Sequence, residues 1–237
     1  MKNDLRNVFV LALGMALLGT SSFAKQGTFQ PNYNPPTPVF SNPTAITNTY
    51  LPLESLKQDI LEGKEAGKLF RIERTRQTGT KSFTVGASKV EAMIVEDKVF
   101  VEGKLHEIAL DYFAQSDDGT VYYLGENVDN YKDGKVVNHD GSWLYGTNTK
   151  QLGVMMPAKP AVGDKFRSED APNITREDDE VISVSETVTI AAGTYKNCIK
   201  IKEILSDGEI EYKFYAPKVG VVKEQPADGQ VELKSHN

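Results

Sequence analysis

Cysteine is nearly absent from this chain. Cys198 is the only one in 237 residues, so no intramolecular disulfide can form and the fold must rest on its own core. Within the strand-like run NCIKI it reads as a buried, inert thiol, because free cysteine packs like a small hydrophobe. Histidine is scarce as well. His106, His139 and His236 are scattered, and no H-x-x-x-H or C-x-x-C spacing offers a zinc or copper site. No G-x-S-x-G nucleophile elbow occurs. Positive charge is not in excess: a net charge of −6 argues against nucleic acid, where affinity comes mainly from Lys and Arg neutralising phosphates. Long apolar runs are missing except for VFVLALGMALL at 8–18, short of the ~20 residues a membrane-spanning helix needs.

That run fits a targeting segment. Lys2 and Arg6 precede it, and small and polar residues follow, with Ser22 and Ala24 set as in a signal-peptidase site. Residues 1–24 are therefore expected to be a signal peptide, and the protein exported, periplasmic or extracellular, with no transmembrane anchor after cleavage. An uncleaved signal anchor is the alternative. No cysteine stands at the cleavage site, so a lipid anchor is not expected. Residues 25–48 are rich in Pro, Asn and Thr and read as a disordered leader. It would be either a spacer or, through Pro35, Pro36 and Pro38, a polyproline II peptide for a partner.

Residues 49–237 are expected to form a single β domain. Pro52, Leu53, Leu56, Ile60 and Leu61 suit one face of a short helix or, alternatively, a strand. Met93, Val95, Val99 and Val101 share one parity and Glu96 and Lys98 the other, the pattern of a strand with one face buried. The following strand sets Ile108, Leu110 and Tyr112 on one face, taken as inward, and Glu107 and Asp111 on the other. Near the end, Ile210, Tyr212 and Phe214 are likewise taken as inward against Glu209, Glu211 and Lys213. Asp-Gly and Gly-Lys pairs supply hairpin turns. The run Glu177-Asp178-Asp179-Glu180 reads as a solvated acidic face.

One unit occurs twice. Tyr112-Phe113-Ala114 with Gly119, and Phe214-Tyr215-Ala216 with Gly220, each join an alternating strand to a turn and a second β-rich strand. Two repeats, at about 50–125 and 155–224, joined by a Trp-containing insert, indicate an all-β, antiparallel, internally duplicated curved sheet or open half-barrel.

The runs DYFAQSDDGTVYYLGENVDNYKDGKVVNHDGSW, GVMMPAKPAVGDKF, GTYKNCIKI and EYKFYAPKVGVVKE, in that order, resemble a widespread group of exported bacterial β-proteins without an established biochemical function. Phe214-Tyr215-Ala216-Pro217 with Gly220 is also similar, over that short motif, to half-barrel exported proteins like the lipoprotein carriers, which hold acyl chains. Fold analogy does not transfer function.

The residues themselves offer a few candidates. Trp143 and Tyr145, beside His139, could face a ligand, or Trp143 could cap the sheet core. Tyr112 and Tyr215 belong to adjacent aromatic pairs that point to opposite faces of a strand, so one of each pair packs the core and the other lies on the opposite face. Both are candidate ligand contacts in a cavity. Glu126, Asp129, Asp133 and Asp140 supply hard oxygen ligands of the kind calcium prefers, although Asp-Gly pairs serve hairpin turns equally well. No catalytic set and no cofactor emerge. The leading expectation is a non-enzymatic exported protein whose curved sheet binds a small apolar molecule, a lipid or an envelope partner. The alternatives are an envelope structural or assembly protein engaging a partner through the leader, and a hydrolase using His106 or His139.

Overall fold

The computed structural model of the chain describes residues 29–237; the expected signal peptide and the first residues of the leader lie outside them. Among the described residues every regular element is a strand. The first half contributes β1 (Gln58–Glu65), β2 (Lys68–Val85), β3 (Ser88–Val101), β4 (Lys104–Gln115), β5 (Val121–Lys132) and β6 (Lys135–Asn138). Two short strands follow, β7 (Trp143–Leu144) and β8 (Gly153–Met156). The second half adds β9 (Lys165–Ala171), β10 (Thr175–Ile190), β11 (Gly193–Ile204), β12 (Ile210–Ala216), β13 (Gly220–Gln225) and β14 (Gly229–His236).

The order β6-β5-β4-β3-β2-β1-β14-β13-β12-β11-β10-β9 makes one antiparallel sheet in which the halves meet at β1 and β14. The sheet curls without closing. At the seam β8 pairs with β5, and the backbone of Gly153 lies so close to β9 that a Cβ there would sit 1.9 Å from the Ser168 carbonyl oxygen. Glycine is the residue that permits such an approach.

The duplication is structural. The β4–β5 and β12–β13 hairpins pair Phe113 with Tyr123 and Tyr215 with Val221, and both carry a bulge at that point. In each second strand the bulge inserts one residue. Glu126 then faces Asp111, and Glu224 faces Lys213. The unit therefore acts as a corner, since a bulge bends its strand and raises the local twist.

Two apolar clusters cover the two faces. The main one includes Leu61, Ile72, Val95, Phe113, Tyr123, Trp143, Ile199, Ile201, Tyr215 and Leu233. A second, on the outer side of β2 to β5, holds Phe83, Val90, Tyr112, Tyr122 and Leu124 beneath Phe40, Leu144, Tyr145 and Leu152. Cys198 is buried, as its setting implied.

Several expectations are corrected. Residues 51–56 form an irregular turn, not a helix, and β1 begins after it. The described part of the leader, 29–48, lacks regular structure yet is packed. Ile46 is fully buried, and the Tyr33 hydroxyl accepts from Ala158 N at 3.2 Å and lies 2.9 Å from Thr120 Oγ1. Asn48 Nδ2 donates to the Gly119 and Pro157 carbonyls at 3.0 and 3.1 Å. Prolines prevent regular structure here but not docking, because side chains and turn carbonyls satisfy the backbone.

The parity expected for β4 and β12 is inverted. Glu107, Asp111, Glu211 and Lys213 face the interior, while Ile108, Leu110, Ile210 and Tyr212 lie half-buried on the other side. Glu177 and Asp179 are buried as well, not solvated.

Candidate functional site

The inverted strands build a polar belt inside the curl. In the first half it runs across four strands: Arg74 on β2 pairs with Asp97 on β3, and Asp111 on β4 pairs with Glu126 on β5. In the second half Asp179 on β10 pairs with Glu203 on β11, and Lys213 on β12 pairs with Glu224 on β13. The two rows occupy equivalent positions and each contains one cation. Glu107, Glu169, Glu177 and Glu211 add further buried carboxylates. Among the described residues Arg74 and Lys213 are the only cations set into this belt, so negative groups are in large surplus.

The rows meet around a small cavity of about 60 Å³. Its polar lining includes Arg74, Asp97, Asp111, Ser168, Glu177, Lys213 and Glu224, and Leu51, Leu53, Met155 and Tyr215 close it. A water needs about 10–15 Å³, and pockets for drug-sized ligands run to about 300–1,000 Å³. The space thus suits a few waters or an ion, not an acyl chain.

The charges are held in specific ways. Arg74 donates to Asp97 from Nη2 at 2.6 Å and from Nε at 3.1 Å. The Lys213 ammonium is 2.7 Å from Glu203 Oε2 and 3.5 Å from Glu211 Oε1. These are ion-pair distances without the alignment of full hydrogen bonds, since both oxygens lack a hydrogen-bond donor. The Tyr123 hydroxyl donates to Asp111 Oδ1 at 2.7 Å, Ser168 N to Asp179 Oδ2 at 2.9 Å, and Trp143 Nε1 to Glu169 Oε1 at 3.1 Å. Thr175 Oγ1 donates to the other oxygen of Glu169. Both oxygens of Glu126 and one each of Glu107 and Glu224 have no hydrogen-bond partner among the described residues.

Leaving a buried carboxylate ionised and unpaired is costly, so such groups hold their protons. Burial, then the neighbouring Asp97, pushes Asp111 up to about 7. Burial likewise raises Glu224 to about 7, against the pull of Lys213 and Arg74. Glu126 and Glu169 are held well above the usual carboxylate range by burial and then by other carboxylates, Glu169 acting on Glu126 and Glu177 on Glu169. Asp179 and Glu203 are raised too, first by burial. Burial opposes the Lys213 charge, yet Glu203, Glu177 and Glu211 more than offset it and keep the ammonium protonated.

The residues singled out from sequence do not gather into one site. Trp143 is buried at the seam, edge-on to Tyr123 with ring centres 5.3 Å apart, and Tyr215 lines the cavity. Tyr112 and Tyr145 belong to the outer cluster instead, with Tyr112 Oη donating to Asn127 Oδ1 at 2.8 Å. His139 is exposed in the turn after β6, its Nδ1 2.8 Å from Asp129 Oδ1. Of the expected calcium set only Glu126 faces the interior. Asp129, Asp133 and Asp140 belong to the β5–β6 hairpin and the turn beyond it, and Asp133, at φ 52°, shapes that hairpin. Among the described residues the one group of carboxylates close enough to share an ion is Glu177, Asp179 and Glu203. The sequence reading missed it because apolar residues were assigned to the interior and acidic ones to solvent.

No family model matches the chain, and no curated protein matches it. Among solved structures it is similar to the crystal structure of a Parabacteroides distasonis protein provisionally described as a lipoprotein, at 17% identity and a TM-score of 0.37, over 80% of this chain and 99% of that one.

Proposed function

We propose that this protein is an exported, non-enzymatic binding protein whose curled sheet holds a small cation in its interior. The observation that carries the reading is the surplus of buried carboxylates over Arg74 and Lys213 around a cavity of about 60 Å³. In a low-dielectric interior such a surplus must be balanced by protons or by a cation. Within this cavity the small volume and the charged side chains at its wall favour a cation over the apolar molecule or lipid expected from the strand pattern. The basic, apolar and small-residue segment at 1–24 supports export.

Among the described residues no histidine is bonded to a serine or cysteine side chain, which supports a binding role. His236 Nδ1 contacts Asp59 Oδ1 at 2.7 Å, and His139 Nδ1 contacts Val128 O and Asp129. Neither is bonded to a serine or cysteine, as a hydrolytic nucleophile requires. In the leader Tyr33, Ile46 and Asn48 are engaged by the protein's own turns and core, whereas Pro36, Thr37 and Val39 stay exposed.

The reading is tested by thermal denaturation of the mature protein at pH 8 against inorganic cations, small organic cations and fatty acids. A rise in Tm with one of the cations and none with the fatty acids is expected. Stabilisation by fatty acids alone would overturn it.

A further inference from the structure

Resting on the reading that the interior takes a cation, we propose that Glu177, Asp179 and Glu203 form a site for a hard divalent cation such as Ca²⁺. One carboxylate oxygen from each of these three side chains lies within 4.8 Å of the other two. Oxygens sharing an ion at about 2.4 Å can be no more than about 4.8 Å apart, and these three meet that condition. Pairing across the sheet fixes this arrangement. Asp179 faces Glu203 on the neighbouring strand, and Glu177 is two residues from Asp179 on the same face.

A second observation points the same way. Ser168 Oγ is buried and has no hydrogen-bond partner among the described residues, although the Ser168 backbone N–H is bonded to Asp179. It opens onto the same cavity as Glu177. An orphaned hydroxyl beside Glu177 supplies a further neutral oxygen, and the cavity that Ser168 and Glu177 line has room for waters on that side of the ion. Lys213 faces Glu203, Glu177 and Glu211, so a divalent ion bound beside it would displace protons from these buried carboxylates. The all-oxygen donor set selects a hard ion over zinc or copper.

The test is calorimetric titration of EDTA-treated mature protein with CaCl₂ and MnCl₂. Terbium luminescence excited through the protein's aromatic residues is a parallel readout. One ion per chain is expected, with affinity falling at least tenfold in Asp179→Asn and in Glu203→Gln. Circular dichroism of both variants without metal should match the parent, because each amide keeps the size and an acceptor oxygen of the carboxyl it replaces. Stabilisation by organic cations without divalent binding would overturn this site and leave the cation-binding reading standing. Divalent binding unchanged in both variants would do the same. Failure of every cation to bind would overturn both.

Discussion

Trp143 shows how one side chain can be structural and still belong to the candidate site. Its ring lies edge-on to Tyr123, and its indole N–H satisfies one oxygen of the buried Glu169. Replacing it with Phe keeps most of the apolar contact and removes the donor, so the penalty falls on a carboxylate oxygen left unpaired, about 1–3 kcal/mol. Urea unfolding should give that loss for Trp143→Phe, whereas Tyr145→Phe, on the outer cluster, should stay within about 0.5 kcal/mol. Equal midpoints for the two would show that the bond to Glu169 contributes nothing. Some of this was legible at the residue level. Asp97 interrupts Val95 and Val99 at a position of inward parity, a visible sign that the interior accepts charge. Glu126 was visible as an oxygen donor but could not be oriented, because a bulge shifts it by one residue.

Strands were the legible elements. The alternation in β3 and the Asp-Gly turns gave the antiparallel arrangement and the duplication. Which face of β4 and β12 lies inside was not legible, because both faces are covered. Leu110 and Tyr112 pack under the outer segments, while Asp111 and Phe113 face the interior. When each face meets protein, the rule of apolar inside and polar outside has no preferred solution. Phe40 of the leader, with Leu144, Tyr145 and Leu152 of the β7–β8 segment, forms that covering over β4. The leader binds the turn at Asp117, where Ser41 N and Oγ donate at 2.9 and 2.7 Å, and just past its end the Thr49 carbonyl accepts from Lys218 N in the second hairpin's turn at 2.6 Å. The longer turn of the first repeat is therefore a docking point for the leader. Removing 25–48 exposes the pocket of Ile46 and the partners of Asn48, and should lower stability by at least about 2–4 kcal/mol, the worth of one buried aliphatic side chain plus a buried hydrogen bond or two. A urea midpoint unchanged by the deletion would show that this segment is only a tether.

For the whole molecule the unusual quantity is the charge enclosed by the curl, and it has a consequence for pH. Asp111 titrates near 7 in the folded chain, and Glu65, at the rim, near 8, in both cases chiefly through burial. Asp97 adds repulsion at Asp111, where Tyr123, Arg74 and Lys213 pull the other way; Glu211, Glu224, Glu209 and Asp228 add it at Glu65. In the unfolded chain both groups lose their protons near pH 4. Between about pH 4 and 7 the folded state therefore binds more protons than the unfolded state, and stability must fall as pH rises. Each such proton corresponds to a slope of up to about 1.4 kcal/mol per pH unit. Asp111 and Glu224, which burial also raises to about 7, carry most of that, and Glu65 adds a smaller share to about pH 8 because solvent screens it. Asp117 and Asp118 act oppositely: hydrogen bonds from Ser41, and from Ser116 and Thr120, hold them below the usual range, so their contribution is lost only as pH falls under about 4. Metal-free protein should thus melt highest near pH 4–5 and several degrees lower at pH 8. A melting temperature that climbs steadily from pH 5 to 8 in EDTA would mean that these carboxylates are not protonated inside the fold.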